Sequence, residues 1–160
     1  MRVREYTNND LEFIQNALVK LNDYIAKTDP SKRIYTAENF RIAYTENVLN
    51  LVDKQHGILY ICETENVPVG FIAGVIEEFS SLDMLSYNGT VEGRIIEFFL
   101  EEDYRGSGAA QALIQKLEDY FKQLGCDFIR VIVFNYNEVA KKFYTKCGYK
   151  TRIIEMCKSI

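Results

Sequence analysis

EFFLEEDYRGSGAA, from Glu97 to Ala110, is the most informative segment of the chain, because a strand-like apolar run passes through an acidic turn into a helix that begins at glycines. Gly106 and Gly108 have no Cβ atom, so the backbone N–H groups around them can approach a ligand closely. The start of a helix carries a partial positive charge, and Arg105 adds a full charge, so a pyrophosphate is the preferred ligand of such a turn. A second interpretation is that Gly-Ser-Gly only turns the chain.

Two amphipathic helices are predicted in the N-terminal third of the chain. Asn8, Asn9 or Asp10 would cap the first helix, which should end before Pro30. The second helix would start near Ala37. Apolar residues recur at three- and four-residue spacing in both helices, at Leu11, Ile14, Leu18, Leu21 and Ile25 in the first and at Phe40, Tyr44, Val48 and Leu51 in the second.

The rest of the chain alternates between strand and helix patterns. The order β-α-α-β-β-β-α-β-α-β predicts an α/β fold, more closely an α+β mixed sheet, because crossovers through helices give parallel neighbours and a meander gives antiparallel ones. The continuous apolar run at 128–134 predicts a strand that is buried on both faces. The predicted strands lie at 3–6, 58–62, 69–76, 94–100, 128–134 and 151–156, and the later helices at 109–124 and 137–146.

Length and composition limit the classes of protein to which the chain can belong. With 160 residues and no repeat or low-complexity stretch, residues 1–160 are interpreted as a single domain. A net charge of −4, from 19 Lys and Arg against 23 Asp and Glu, argues against a nucleic-acid partner. The apolar runs are far shorter than the roughly 20 residues that span a bilayer, and the N-terminus lacks a signal-peptide core. We therefore expect a cytoplasmic protein with no membrane partner.

The residue types that bind metals are too scattered to predict a metal site. Cys62, Cys126, Cys147 and Cys157 form no C-x-x-C pair, and His56 is the only histidine. We therefore expect no metal, and four reduced cysteines that act as small buried hydrophobic residues.

Two segments resemble the signature motifs of the GCN5-related N-acetyltransferase (GNAT) family. RGSGAA, from Arg105 to Ala110, is similar to the family's R/Q-x-x-G-x-G/A motif. A later segment is similar to N-x-x-A-x-x-F-Y-x-x-x-G-F, with Tyr149 in place of the usual phenylalanine. The predicted order of elements also agrees with a GNAT-like acyl-CoA N-acyltransferase fold. The residues that match the second motif are Asn137, Ala140, Phe143, Tyr144, Gly148 and Tyr149.

The resemblance implies that acetyl-CoA is the co-substrate and lies in a V-shaped gap between two parallel strands that splay apart, here 94–100 and 128–134. Backbone groups near Phe99 and Leu100 would then pair with the pantetheine arm like an added strand. Asn137 would hydrogen-bond the same arm. The pyrophosphate would be held by backbone N–H groups of Arg105, Gly106, Ser107, Gly108, Ala109 and Ala110.

The resemblance also implies that an amine attacks the thioester directly, with no covalent enzyme intermediate. Tyr144 would donate a proton to the leaving thiolate, and the alternative is a core aromatic on the helix face of Ala140. The attacking amine must lose a proton near pH 7, for which Glu97 is the first candidate base. A water chain or a purely structural carboxylate are the alternatives. Alternation along the strand would put Glu97 opposite Ile96 and Phe98.

The expected acceptor is a primary amine, either a small cationic molecule or a peptide amine. Acidic residues crowd the segments around the predicted cleft, and their negative field would attract a cation. Such residues can equally form a solvated face. Tyr35, Tyr44 and Tyr87 would supply aromatic walls for an ammonium group. The acidic residues are Glu77, Glu78, Asp83, Glu92, Glu97, Glu101, Glu102 and Asp103.

Two functions from different classes fit these observations. One is an acetyl-CoA-dependent N-acetyltransferase, and the other is an acetyl-CoA-binding or regulatory GNAT-like module without useful turnover. A protein N-acetyltransferase that acts within a larger complex would differ in its partner rather than in its chemistry. The matches at Arg105, Gly108, Asn137 and Tyr144 favour the enzyme. Dimers are common in the family, so a homodimer is a candidate assembly.

Overall fold

The computed structural model describes residues 1–86 and 91–159. The described ranges contain five strands and four helices, joined by loops and short 3-10 turns, and none of the helices is both long and apolar enough to cross a bilayer. All four predicted helices and the first five predicted strands are present. In chain order the elements are β1 (Arg2–Glu5), α1 (Leu11–Thr28), α2 (Phe40–Lys54), β2 (Ile58–Thr64), β3 (Val67–Glu78), β4 (Val91–Leu100), α3 (Ala109–Gln123), β5 (Ile129–Val131) and α4 (Glu138–Lys146).

The five strands form one mixed sheet in the order β1-β2-β3-β4-β5. The first four strands pair antiparallel, and β5 pairs parallel to β4. Because α3 carries the chain across the sheet between β4 and β5, the parallel pair follows from a strand–helix–strand crossover. The predicted mixed sheet is confirmed.

Different helices cover the two faces of the sheet. Along β3, Phe71 and Ala73 face α1 and α2, whereas Ile72 and Ile76 face α3 and α4. This alternation gives each face of the sheet its own apolar core, covered by its own helices. The helix residues buried in the two cores are Ile14, Ala17, Leu18 and Val48 on the first face, and Leu113, Ile114, Leu117, Phe121 and Tyr144 on the second.

A bulge interrupts β4 at Ile96. Glu97 pairs with Ala73 of β3, whereas the next residue of β3, Gly74, pairs with Ile95, so Ile96 is an extra residue in the ladder. Ile96 packs into the core beneath α1 and α2, the face towards which Glu97 also points. The prediction that alternation places Ile96 and Glu97 on opposite faces is therefore wrong, because a bulge breaks the period of two.

The fifth strand is shorter and more open than predicted. β5 covers only Ile129–Val131, and Ile132 beyond it is 77% exposed. Phe128 and Phe134 are also exposed, so the prediction of a strand buried on both faces over 128–134 is wrong. The physical reason is position: β5 pairs with β4 alone and forms an edge of the sheet. A continuous apolar run predicts full burial only for a strand with neighbours on both sides.

The predicted strand at 151–156 is absent from the described structure. The C-terminal segment has no strand partner, and Ile154 and Met156 are 80% and 90% exposed. Arg152 instead holds the segment through its side chain, which lies over the Phe128 ring and pairs with Glu92. A β-rich sequence forms a strand only where a backbone edge is available to pair with it.

The four cysteines are free thiols, as predicted. Cys62 and Cys126 are buried and Cys147 is partly buried. Cys157 is exposed, so the expectation of burial is wrong for that residue, because the C-terminal segment does not pack against the core.

Candidate active site

The parallel ladder between β4 and β5 ends halfway along β4. Its register pairs Gly93 with Ile129 and Ile95 with Val131, and β4 then continues to Leu100. Within the described residues, one edge of this second half of β4 has no strand beside it, while β3 occupies the other edge. Backbone groups along this edge, including those near Leu100, are therefore placed where an extended ligand could add to the sheet.

The turn from 105 to 110 offers every second backbone N–H to a ligand. The amides of Arg105 and Ser107 already donate to the carbonyls of Glu102 and Tyr104, and the amide of Ala109 donates to the Ser107 hydroxyl, at 3.0 to 3.4 Å. Three other amides of the turn donate to no acceptor within the described part of the chain. They belong to Gly106, Gly108 and Ala110.

The two glycines of this turn adopt a left-handed backbone conformation. Their φ angles are +79° at Gly106 and +89° at Gly108, which caps the start of α3. A Cβ atom at either position would meet nothing within 4 Å, so neighbouring side chains do not explain the glycines. The glycines are explained by the positive φ angles and by the open space above the turn, and both allow an anion to approach the backbone closely. The Arg105 guanidinium is half-exposed and pairs with Glu102 at 3.0 Å.

Asn137 and Tyr144 lie on α4, the helix that follows β5. Asn137 caps this helix, since its Oδ1 accepts from the backbone N–H of Ala140 at 3.1 Å. Its Nδ2 is the atom left to hydrogen-bond a ligand. The sequence prediction of a cofactor contact did not include this capping role.

The Tyr144 ring is buried beside β4, with only 7% of the residue exposed. Its centroid lies 6.4 Å from that of Phe98 and 5.3 Å from that of Phe143. In the described structure, the hydroxyl group has no hydrogen-bond partner. Burial raises the pKa of Tyr144, and the electrostatic interactions with Cys147 and Glu97 raise it further. The phenol therefore keeps its proton at neutral pH.

Glu97 projects from the other face of β4, towards α2. Its Oε1 accepts a hydrogen bond from the Tyr44 hydroxyl at 2.5 Å. Burial raises the pKa of Glu97 to about 7, although the hydrogen bond from Tyr44 acts in the opposite direction. A carboxyl group with this pKa is partly ionised at neutral pH and can accept a proton there.

A cavity of about 190 Å³ opens between α2 and β4, next to this pair. Apolar side chains form much of its wall, and four polar side chains reach it. Of the three tyrosines predicted to form aromatic walls, Tyr44 lines the cavity. Tyr35 is 77% exposed and does not line it. Tyr87 lies outside the described residues. The lining residues are Tyr44, Asn47, Val48, Leu51, Arg94, Ile95, Ile96, Glu97 and Ile132.

Neighbouring cations neutralise much of the predicted acidic field. Glu77 pairs with Arg94 and Arg130, and Glu92 pairs with Arg130 and Arg152. The other pairs are Glu101 with Lys20 and Glu102 with Arg105, while Asp83 accepts from Ser80. The Glu78 side chain lies outside the described atoms. Cations therefore offset the charges of Glu77, Glu92, Glu101 and Glu102.

Two further members of this site, Arg94 and Asn47, were not predicted from the sequence. Arg94 stands in the predicted strand, where a period of two would place it on the face opposite Glu97. The bulge at Ile96 brings both residues to the α2 face. Asn47 lies three positions after Tyr44 on the same helix, and this spacing is the one signal that could have pointed to it.

The comparison with known families is consistent with this geometry. A family model described as "Acetyltransferase (GNAT) family" matches residues 22–149 of the chain. An uncharacterized N-acetyltransferase of Methanocaldococcus jannaschii is 28% identical over 102 residues, which cover 64% of this chain and 43% of the relative. The uncharacterized N-acetyltransferase YdgE of Bacillus subtilis is 38% identical over 69 residues, covering 43% of this chain and 44% of the relative. The chain thus spans less than half the length of these two relatives.

Solved structures share the fold over the whole chain at low sequence identity. A mutant of the BH1408 protein from Bacillus halodurans superposes with a TM-score of 0.88 at 17% identity, covering 100% of this chain and 99% of that one. The aminoglycoside N-acetyltransferase AAC(6')-Iy in complex with CoA gives a TM-score of 0.69 at 16% identity, covering 99% and 100%. With its mixed sheet and the family model matched over most of its length, the chain belongs to the acetyltransferase (GNAT) family.

Proposed function

We propose that the protein is an N-acetyltransferase that moves the acetyl group of acetyl-CoA directly to a primary amine. The observation that carries the proposal is that two proton-transfer groups flank the same part of β4. Glu97 faces α2, and Tyr144 lies on the other side of the sheet against Phe98, the next residue of the strand. An amine and a thioester that meet at the open edge of β4 would have a base on one side and an acid on the other.

The proposed reaction needs no group beyond these two. The amine nitrogen attacks the thioester carbonyl carbon, and the carbon–sulfur bond breaks as the amide bond forms. Glu97 takes the proton that the amine loses, and Tyr144 gives its proton to the thiolate, so the products are an acetamide and CoA. Alignment of the two reactants would supply much of the rate, because it turns a bimolecular step into a unimolecular one.

The donor side supports acetyl-CoA as the co-substrate. The free N–H groups of Gly106, Gly108 and Ala110 at the start of α3 suit a pyrophosphate, with Arg105 at the mouth. Phe99 and Leu100 lie along the open edge, where the pantetheine arm would pair. The related fold of AAC(6')-Iy has been solved with CoA bound.

The acceptor side supports a small amine. The cavity beside Glu97 has a volume of about 190 Å³, below the several hundred Å³ typical of sites for drug-sized ligands. A peptide amine would have to enter with its terminal residue or a lysine side chain alone.

Free thiols agree with a cytoplasmic location. A homodimer stays a prediction.

The test combines binding and turnover. Acetyl-CoA is titrated calorimetrically into the purified protein with adenosine diphosphate as the control, and thiol release is then followed with a panel of small amines. We expect micromolar binding that is specific to acetyl-CoA, and turnover that Glu97→Gln lowers by about 100-fold. Binding without turnover of any amine would favour the binding or regulatory module. A folded protein that does not bind acetyl-CoA would contradict the proposal.

A further inference from the structure

The two edges of the sheet differ in how they are protected. β1 forms one edge, and three of its four residues, Arg2, Arg4 and Glu5, are charged. β5 forms the other edge of the described sheet, and the chain from 129 to 134 carries a single charge, on Arg130. Charged side chains keep an edge strand from pairing with a further strand, so β1 is protected and β5 is not.

One face of the segment around β5 is apolar and open. Every second residue from 129 to 133 packs against the core beneath α3 and α4, so the residues between them point to the opposite face. On that face, Phe128, Ile132 and Phe134 are 43%, 77% and 44% exposed. Ile132 also lines the cavity beside Glu97, so this apolar face continues into the proposed acceptor site.

Side-chain contacts fix the C-terminal part of the chain as far as Arg152. The Tyr149 hydroxyl donates to Glu118 of α3 at 3.0 Å. Arg152 lies over the Phe128 ring at 5.0 Å and pairs with Glu92 at 3.6 Å, so the chain has reached the start of β5 at this point. The described residues that follow form neither strand nor helix, and they leave the sheet at that end.

We define the C-terminal arm as residues 153–159. Its first four residues have the composition of a strand, and Ile153, Ile154 and Met156 are 77%, 80% and 90% exposed. An apolar, strand-like segment and an apolar sheet edge are complementary to each other. One chain carries both, so two copies of it are complementary as well.

We propose that the protein is a homodimer in which the C-terminal arm of each copy adds as a strand to the β5 edge of the other. Within its own chain, the arm leaves at the start of β5, whereas Ile132 and Phe134 follow the end of that strand. A second copy is free of this restriction, and twofold symmetry uses both arms, so the assembly closes at two copies. By alternation Ile154 and Met156 share one face of the arm, which would lie beside Ile132 and Phe134.

The exposed apolar surface is large enough for a stable dimer. Full burial of an Ile, Phe or Met side chain removes on the order of 100 Å² from water. Six such side chains are exposed on the arm and the β5 face of each copy, so two copies would bury on the order of 1,000 Å², about the minimum for a specific interface. The six are Phe128, Ile132, Phe134, Ile153, Ile154 and Met156.

The added strand would also complete one wall of the acceptor cavity. Ile132 lines the cavity and is 77% exposed, so the outer side of this wall faces solvent in a single copy. The arm of the second copy would cover it. This consequence rests on the proposed function, while the dimer itself does not.

The test measures mass and amide exchange on the same samples. In analytical ultracentrifugation, we expect the mass of two copies for the unmodified protein and half that mass for Ile154→Asp, because the interface would bury an unpaired carboxylate. Val67→Asp is the matched control and should stay dimeric, since Val67 is 58% exposed at the start of β3. Amides 153–156 should exchange with deuterium at least about tenfold faster in Ile154→Asp than in the unmodified protein.

Three results would overturn the inference. The first is the mass of a single copy at every protein concentration. The second is a dimer whose arm exchanges rapidly, since such a dimer uses another surface. The third is a monomer whose arm exchanges slowly, which would mean that the arm folds back onto its own β5. Met156→Asp serves as a second variant, because Met156 is 90% exposed and its substitution should leave the single copy folded.

Turnover separates the dimer from its consequence for the cavity. Thiol release with a reactive amine is compared among the unmodified protein, Ile154→Asp and Val67→Asp. We expect kcat/KM to fall in Ile154→Asp in proportion to the loss of dimer, and equal kcat/KM in a monomeric Ile154→Asp would overturn the completed wall. If no amine is acetylated, the proposed function fails for that panel, while mass and amide exchange still decide whether the dimer forms.

Discussion

The two faces of the central sheet hold their functional atoms in different ways. On the α3 and α4 face, the turn at 105–110 presents backbone N–H groups that are fixed by local conformation and by the glycines at 106 and 108. On the α1 and α2 face, the key contact joins Tyr44 and Glu97, which are 53 positions apart in the chain. The donor side is therefore encoded in short motifs, and the acceptor side depends on how one helix packs on the sheet.

This difference separates the effects that substitutions should have. A change in the turn should alter the affinity for acetyl-CoA, while the chemistry at Glu97 is kept. A change at Tyr44 should alter the pH dependence of turnover, while the affinity for acetyl-CoA is kept. Four substitutions test whether the two faces are independent.

Gly108→Val should have the largest effect, on the donor side. A β-branched residue at a φ of +89° is strained, and its side chain would block the close approach of the pyrophosphate. We expect acetyl-CoA to bind roughly 100-fold more weakly, as measured by calorimetry. Gly125→Val is the matched control, because Gly125 has a φ of +81° at the end of α3, away from the turn. If both variants fold and bind acetyl-CoA equally well, the turn is not the pyrophosphate site.

Tyr144→Phe should lower kcat by roughly 10- to 100-fold, because the thiolate would leave without a proton donor. The Kd for acetyl-CoA should change little, since the ring and its contacts with Phe98 remain. The control is Tyr120→Phe, which removes a hydroxyl group that donates to the carbonyl of His56 on the surface. Rapid-quench kinetics would establish that chemistry limits the rate. Unchanged single-turnover rates in Tyr144→Phe would remove this residue from the acid role.

Tyr44→Phe should shift the acidic limb of the pH profile upwards by about one pH unit. The hydroxyl group stabilises the ionised form of Glu97, so its removal raises the pKa of that carboxyl group from about 7. The titratable and charged groups around Glu97 are Tyr44 from α2, Tyr144 from α4 and Arg94 from β4, while β3 presents Ala73 and the segment after β5 presents Ile132.

Two measurements check the shift in Tyr44→Phe. They are kcat/KM against pH and the carbon-13 titration of the Glu97 carboxyl group, with Tyr120→Phe as the control for loss of a phenol. The carboxyl resonance is assigned by its absence in Glu97→Gln. If the pKa of the carboxyl group rises while the acidic limb of the kcat/KM profile does not move, Glu97 is not the base.

The last substitution, Glu97→Gln, should also give a pH-dependent gain in stability, apart from its effect on turnover. The folded protein raises the pKa of Glu97 from 4.5 to about 7, so it binds more protons than the unfolded chain between these values. The contribution of this group to stability therefore falls as pH rises from about 4.5 to 7 and is constant above that range. Relative to the unmodified protein, Glu97→Gln should gain on the order of 3 kcal/mol between pH 4.5 and pH 8 in urea titrations. A difference that is independent of pH would mean that the carboxyl pKa is not raised.

Local sequence was sufficient to predict most of the fold. Apolar periodicity predicted α1, α2, α3 and α4, and β-branched runs separated by turns predicted the meander. The two wrong strand predictions share one cause. The segments at 128–134 and 151–156 have strand-like composition, but a strand also needs a neighbour, and periodicity carries no information on which edge is available.

The same distinction separates the parts of the site that the sequence could predict from those that it could not. The turn at 105–110 and the cap at Asn137 are local structures, so motifs could locate them. The bond between Tyr44 and Glu97, and the approach of Arg94 to the same cavity, arise from packing between distant segments and from a bulge. A strand pattern cannot reveal an extra residue, because the period of two is assumed when the pattern is interpreted.

The bulge at Ile96 has a consequence for how relatives are compared. One inserted residue lets positions an odd number apart share a face, so the carboxylate reaches the cavity from a position that regular pairing would turn towards α3 and α4. In a relative whose strand lacks the insertion, a carboxylate at the same place in space would stand one column away in a multiple alignment. A count of acidic residues by alignment column would then assign these equivalent carboxylates to two different positions. A superposition of the structures would show that they occupy the same place.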